Sequence, residues 1–104
     1  MKIVDYSDEI SIWLSENGYQ NIRCCSYAII MSLFSKVVFD GDSIYIEPTR
    51  VRDKLFNLNV FTEKCFCDTL DFLVKELGFL TISKDEKRYY LTYKAQNQLL
   101  GVVR

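Results

Sequence analysis

Two stretches near the carboxyl end decide the expected fold: residues 69–80 read TLDFLVKELGFL, and residues 88–95 read RYYLTYKA. In the first stretch apolar residues recur at helical spacing as far as Leu77. Gly78 follows, and glycine readily adopts the left-handed conformation with which many helices end. The pattern therefore predicts a helix that ends at Gly78 and is followed directly by a strand.

The residues beyond Gly78 are typical of a β-hairpin. Two strand-like runs, 79–83 and 88–92, flank the polar residues 84–87, whose number suits a hairpin loop. Alternation along these strands predicts that Leu80, Ile82 and Leu91 are buried. Thr92 is a suitable N-cap for a final helix over 93–103.

The upstream sequence predicts further helices and one short strand. Ile10, Trp13 and Leu14 form an apolar stripe at helical spacing. Pro48 and Thr49 are residues that open helices. We expect a helix over 8–17, a buried central helix over 21–36, a strand over 43–47, a basic helix over 49–57, a turn over 57–61 and a helix from Thr62 to Gly78. The expected fold class is α+β and mostly helical.

Length and composition indicate one domain without an active site. The chain has 104 residues, of which 49% are hydrophobic and 26% charged, as in a single compact domain. It contains no histidine, the usual general base near neutral pH and the commonest metal ligand. It also has no glycine-rich phosphate loop and no evident catalytic carboxylate pair. We therefore expect no enzymatic activity, no cofactor and no metal site.

The apolar runs are short. Acidic residues interrupt the start of the chain before a signal-peptide core could form. The longest unbroken apolar run, Tyr27–Met31, is far below the roughly 20 residues that span a bilayer. We expect a soluble, cytoplasmic protein that does not bind membranes.

Four cysteines occur as two close pairs, Cys24 with Cys25 and Cys65 with Cys67. Neither pair has the two-residue gap of a zinc knuckle or of a thioredoxin-type motif. The favoured interpretation is that these thiols are buried and behave as small hydrophobic groups. A disulfide between the two segments remains open.

The order of the predicted elements from about residue 22 to residue 100 resembles the winged helix-turn-helix domain, and more narrowly the MarR and PadR-like regulators. The resemblance rests on the two stretches quoted above, in which a recognition helix ends in leucine and glycine, and the second wing strand ends at Leu91 and Thr92. Ala95 stands where the family usually has glycine. The first half of the helix reads Glu63 to Cys67, where such regulators usually have Ser, Thr, Arg, Asn or Gln. The composition also resembles that of small proteins of thermophilic archaea and of their viruses and plasmids.

The resemblance implies one winged-helix domain over 1–104, made of a helical extension (1–20), a winged-helix core (21–92) and a carboxyl-terminal helix (93–104). The first and last helices would form a homodimer interface. The helix that begins at Thr62 would enter the major groove of DNA, and the hairpin would form the wing that holds the phosphate backbone.

Charge is segregated along the chain. Before Thr49 there are three basic and seven acidic residues, whereas the remainder has ten basic and seven acidic residues. Seven of the ten basic residues of the second half fall at the three places where a winged helix meets a duplex. Asp68 and Asp71, on the helix expected in the groove, instead favour a solvated surface of mixed charge.

Two functional hypotheses follow. The first is a small transcription regulator that binds double-stranded DNA sequence-specifically and needs no cofactor. The alternative is a winged-helix module that binds a protein in a transcription or replication assembly. The residues expected to contact DNA are Arg50, Arg52, Lys54, Thr62, Lys64, Lys84, Lys87 and Arg88.

Overall fold

The computed structural model describes residues 1–56, 62–84 and 87–101, and within them the chain forms five helices and five strands. The α+β prediction is confirmed, whereas the turn expected over 57–61 lies outside the described residues. The elements are β1 (Lys2–Val4), α1 (Ser7–Glu16), α2 (Cys24–Phe34), β2 (Val37–Asp40), β3 (Ser43–Ile46), α3 (Pro48–Phe56), α4 (Glu63–Asp71), β4 (Leu80–Ile82), β5 (Tyr89–Leu91) and α5 (Tyr93–Leu99).

The five strands form one antiparallel sheet in the order β1-β2-β3-β5-β4. Tyr45 pairs with Val38 on one side and with Tyr90 on the other, and Thr81 pairs with Tyr90. Directly paired residues point to the same face of a sheet. These side chains therefore share one face, and β1 and β4 lie at opposite edges.

The prediction of a single strand before the hairpin was wrong, because β1 and β2 were not expected. The signal for β2 was present, since Val37, Val38 and Phe39 are β-branched or aromatic and precede a turn with Gly41. Gly41 has φ 59°, a conformation that suits a tight hairpin turn. For β1 only three residues pair, too few for alternation to be detected in the sequence.

The core lies between the helices and the second face of the sheet. The helix α2 contributes four fully buried residues, Ile29, Ile30, Leu33 and Phe34. They belong to one apolar cluster with Val37, Ile46, Leu80 and Leu91 of the sheet. As predicted, α2 is the central helix of the core, but it is shorter than the expected range 21–36, because it begins at Cys24 and ends at Phe34.

The helix that begins after Thr62 changes geometry before it ends. The hydroxyl Oγ1 of Thr62 accepts a hydrogen bond from the backbone N–H of Cys65, so the predicted N-cap is confirmed. Beyond α4 the chain continues through a π-helical turn, Phe72–Glu76. Gly78 then adopts φ 64°, and the N–H of Phe79 donates to the carbonyl of Leu73 at 2.9 Å. The helix ends with this hydrogen bond, and the chain continues directly into β4.

The first and last helices pack against each other within the chain. The indole Nε1 of Trp13 donates to Oε1 of Gln98 at 2.6 Å, and the Trp13 ring packs edge-on against Phe79. Ile10 and Leu14 of the predicted stripe are buried in the same core cluster as Leu99. The apolar faces expected at a dimer interface are therefore occupied by the chain's own core.

One residue of the hairpin departs from the predicted alternation. Leu80 and Leu91 are buried as expected, whereas Ile82 is 49% exposed. It is the last residue of edge strand β4, where it pairs with Tyr89 of β5. The predicted burial of Ile82 was wrong.

Across residues 1–56, 62–84 and 87–101, every helix is too short or too polar to cross a lipid bilayer.

Candidate nucleic-acid interface

The helices α3 and α4 meet through an ion pair at the start of α4. Nη1 of Arg52 lies 3.1 Å from Oε1 of Glu63, and Nε of Arg52 lies 3.8 Å from Oδ1 of Asp53. Two carboxylates therefore surround a guanidinium that was expected to contact phosphate. In this geometry Arg52 positions α3 against α4.

The two other cations of α3 point outward. Val51 and Leu55 are buried in the core, which turns the remaining faces of this helix to solvent. Arg50 is 75% exposed at its side chain and makes only a long contact of 3.7 Å with Glu47, and Lys54 is exposed. Because exposed pairs of this kind contribute little free energy, Arg50 can exchange Glu47 for a phosphate.

The exposed face of α4 carries both signs of charge. Nζ of Lys64 lies 3.2 Å from Oδ2 of Asp68, one helical turn later, and the Lys64 side chain is 85% exposed. Over residues 63–76 there are two lysines and four carboxylates, a balance of −2. This helix is exposed to a partner, but its net negative charge repels a polyanion such as DNA.

Thr62 lies beside Lys64 on the surface, with its hydroxyl oxygen already accepting the capping hydrogen bond. A contact from Thr62 to a base would have to share that oxygen or use the hydroxyl hydrogen. The structure therefore places Thr62 on the surface and gives it a structural role as the N-cap of α4.

The tip of the β4–β5 hairpin presents two lysines. Lys84 and Lys87 are both exposed, and residues 85 and 86 between them lie outside the described residues. The backbone N–H of Ser83 donates to the carbonyl of Arg88 at 3.0 Å, which closes the base of the loop. The two lysines are thus carried on a hairpin whose stem is hydrogen-bonded.

Arg88 is held on the sheet. Its Cζ lies 4.5 Å from the centroid of the Tyr45 ring, and a hydrogen bond with Tyr90 raises the pKa of the Arg88 guanidinium. Tyr45 and Tyr90 belong to the face of the sheet that points away from the helical core. The sequence predicted that Arg88 contacts DNA, and the structure places its guanidinium over the Tyr45 ring on this face.

A small cavity marks where α3, α4 and the hairpin converge. It encloses about 140 Å³ and is lined by Pro48, Thr49, Arg52, Glu63, Phe66, Cys67, Leu70 and Tyr89. Tyr89 was not among the predicted site residues. The sequence held a signal for it, because strand alternation puts Tyr89 on the same face as Leu91, which was predicted to be buried.

A larger cleft of about 840 Å³ lies elsewhere, between the β2–β3 turn and the start of α5. Its lining includes Asp42, Ser43, Thr92 and Gln96. The part of the chain that the structure describes contains no group of three or more His, Cys, Asp or Glu side chains suited to a metal ion.

Comparisons of the chain with protein-family models, with curated proteins and with solved structures found no match. Function has to be argued from the arrangement of its own residues.

Proposed function

We propose that the chain is a winged-helix protein that binds double-stranded DNA and acts as a small transcription regulator. One observation carries the proposal: α2, β2, β3, α3, α4, β4 and β5 follow one another along the chain, and β5 lies between β3 and β4 in the sheet. This arrangement sets an exposed helix, α4, next to a hairpin with lysines at its tip. A helix of this kind fits the major groove of B-DNA.

The exposed cations supply the backbone contacts in this proposal. Arg50 and Lys54 of α3, and Lys84 and Lys87 of the wing, would neutralise phosphates. Lys64 would reach base edges from the first turn of α4. Arg52 and Arg88 hold protein elements together, because Glu63 and Tyr45 occupy their guanidinium groups.

The acidic face of α4 predicts modest affinity that is strongly dependent on salt. Asp68 holds Lys64 and adds negative charge to the surface that would enter the groove. We therefore expect Asp68→Asn to raise duplex affinity several-fold at low salt. Glu16→Gln, which removes an exposed carboxylate at the end of α1, is the matched control and should leave affinity unchanged.

The wing is tested by measuring duplex affinity over a series of salt concentrations. We expect the double variant Lys84→Ala with Lys87→Ala to bind more weakly, and its plot of log affinity against log salt to lose roughly two units of slope, about one for each lysine. Lys2→Ala with Lys36→Ala is the matched control. It removes the same charge, but Lys2 lies on β1, at the sheet edge opposite to β4.

Two results would contradict DNA binding through this surface. One is the absence of measurable binding at low salt. The other is an equal loss of affinity in the wing variant and in the control variant, which would indicate that only overall charge matters.

A second candidate function is recognition of a protein through the same surface. The negative balance of α4 and the exposed Ile82 on the neighbouring strand favour it, because protein interfaces combine apolar and charged contacts. The Asp68→Asn variant separates the two functions. It strengthens binding to a duplex, whereas it weakens binding to a basic protein partner.

A further inference from the structure

Two cysteines from different helices lie at the junction between α2 and the amino-terminal end of α4. Cys25 lies in the first turn of α2, next to Ser26, and Cys65 lies in the first turn of α4. The hydroxyl of Ser26 lies 3.8 Å from Sγ of Cys65, and Oγ1 of Thr69 donates to that hydroxyl at 3.0 Å. Cys65 belongs to the apolar core cluster and Cys25 packs against the same cluster, so both thiols, which are free, lie at one junction between the helices.

The environments of the two thiols differ. Cys25 is partly exposed, whereas Cys65 is 6% exposed. The hydrogen bond from Cys65 and the positive charge of Arg23 lower the pKa of Cys25. Burial raises the pKa of Cys65, and its hydrogen bond to Cys25 acts in the same direction. The accessible sulfur is thus the one that favours the thiolate, and the buried sulfur keeps its proton.

We propose that Cys25 and Cys65 form a redox-modification site at which a peroxide produces a reversible disulfide between α2 and α4. The thiolate of Cys25 attacks hydrogen peroxide, the O–O bond breaks, and Cys25 sulfenic acid and hydroxide result. The thiol of Cys65 then attacks the sulfenic sulfur, an S–S bond forms and water leaves. Two electrons pass from the two sulfurs to one peroxide molecule in total.

A disulfide sets its sulfurs about 2.05 Å apart, so the two sulfurs have to approach each other when the bond forms. The bond would link residues at the first turns of two packed helices and close a loop of the intervening chain. Loop closure of this kind stabilises the folded state mainly by restricting the unfolded chain.

The remaining cysteines provide an internal control. Cys24 and Cys67 are both exposed. Cys24 precedes Cys25 directly and Cys67 follows Cys65 by two residues, so on their helices they point in other directions. Oxidation that followed exposure alone would select Cys24 and Cys67, whereas oxidation that follows the geometry selects Cys25 and Cys65.

The test uses the full-length reduced protein, hydrogen peroxide, and peptide mapping by mass spectrometry after the remaining thiols are alkylated. We expect one intrachain link between the peptides of Cys25 and Cys65, with a loss of two hydrogen atoms, and full reversal by dithiothreitol. The variant Cys24→Ser with Cys67→Ser should form the same link. Cys25→Ser, at the more exposed position, should abolish it, and Cys65→Ala provides a second variant that removes the partner sulfur.

The oxidised protein should also unfold at a higher urea concentration than the reduced protein, and this shift should be absent in Cys25→Ser. Free thiols after peroxide treatment, a link through Cys24 or Cys67, or irreversible oxidation of Cys25 without a link would each overturn the proposal. None of these measurements involves a duplex, so their failure and a failure of DNA binding are distinguishable.

Discussion

At the scale of single residues, Thr92 joins the end of the hairpin to α5 and to the end of the preceding helix. Its Oγ1 accepts from the N–H of Ala95 at 3.3 Å and donates to the carbonyl of Gly78 at 2.7 Å. Its own N–H donates to the carbonyl of Phe79 at 3.0 Å. The sequence predicted the cap, but the bond to Gly78 arises only because the hairpin brings residue 92 back beside residue 78.

We expect Thr92→Val to lower the free energy of unfolding by about 2 kcal/mol, because it removes both the cap and the bond to the Gly78 carbonyl at nearly constant volume. Thr92→Ser keeps the hydroxyl and should cost much less. Urea unfolding followed by circular dichroism measures both variants. Equal stability of the valine and serine variants would contradict the role assigned to the hydroxyl.

Asp5 provides a prediction of pH dependence. Its Oδ1 accepts hydrogen bonds from the hydroxyl and the backbone N–H of Ser7, at 2.6 and 2.8 Å, and these bonds lower the pKa of Asp5 below its ordinary value of 3.8. Because the folded pKa lies below the unfolded one, the stabilisation is present above about pH 3.8 and is lost as the pH falls through the folded pKa.

We expect the carboxyl carbon of Asp5 to titrate by NMR with a midpoint below 3.8. The variant Ser7→Ala removes the largest contribution, the hydroxyl bond, and should move that midpoint upward. A midpoint at or above 3.8 in the unmodified protein would show that the carboxylate does not hold the start of α1 in this way.

At the scale of elements, the hairpin shows where alternation along a strand is a sufficient guide to burial and where it fails. Leu80 and Ile82 lie on the same face of β4 at alternate positions, yet Leu80 is 2% exposed and Ile82 is 49% exposed. Alternation specifies which face a side chain joins, whereas the helices that cover that face extend only over part of it. Burial thus depends on how far the hairpin extends beyond the core.

We expect Leu80→Ala to lower the free energy of unfolding by about 2–5 kcal/mol, because it leaves a cavity in the core. Ile82→Ala should change it by less than about 1 kcal/mol, because that side chain is half in water. Denaturant unfolding of the two variants under the same conditions makes the comparison. Similar losses in both would mean that the far end of β4 is covered.

Helical spacing likewise predicted part of the structure that follows Thr62 and missed another part. On α4 and the π-helical turn that follows it, Lys64, Asp68 and Lys75 are exposed and Phe66 and Leu73 are buried, as the helical spacing predicted. The π-helical turn over Phe72–Glu76 was not predicted, because its i→i+5 hydrogen bond from Leu77 to Phe72 depends on how the helix end meets β4 rather than on the identity of these residues.

At the scale of the whole molecule, the homodimer remains a prediction. Less apolar surface is left for its interface than the sequence indicated. The predicted apolar faces of α1 and α5 are buried within the chain, whereas Ile12 and Tyr93 on the same two helices are 59% and 72% exposed. An interface between two copies would therefore have to use the outward sides of these helices.

Sedimentation at micromolar concentration tests the dimer. We expect a dimer for the unmodified protein and a monomer for Ile12→Glu, because a carboxylate at the centre of an apolar contact is costly to desolvate. Ile3→Glu, at another exposed isoleucine on β1, is the control and should stay dimeric. A clean monomer of the unmodified protein at that concentration would contradict the prediction.

The sequence by itself determined the fold class, the exposed and buried faces of α4, the two threonine caps and the hairpin, because each follows from local spacing and local hydrogen bonding. Only the tertiary structure decided that β1 and β2 join the sheet, that Arg52 faces Glu63, that Arg88 lies over Tyr45 and that Cys25 meets Cys65. These contacts join residues that are distant in the chain, and their energies depend on packing between elements, which one-dimensional periodicity does not contain.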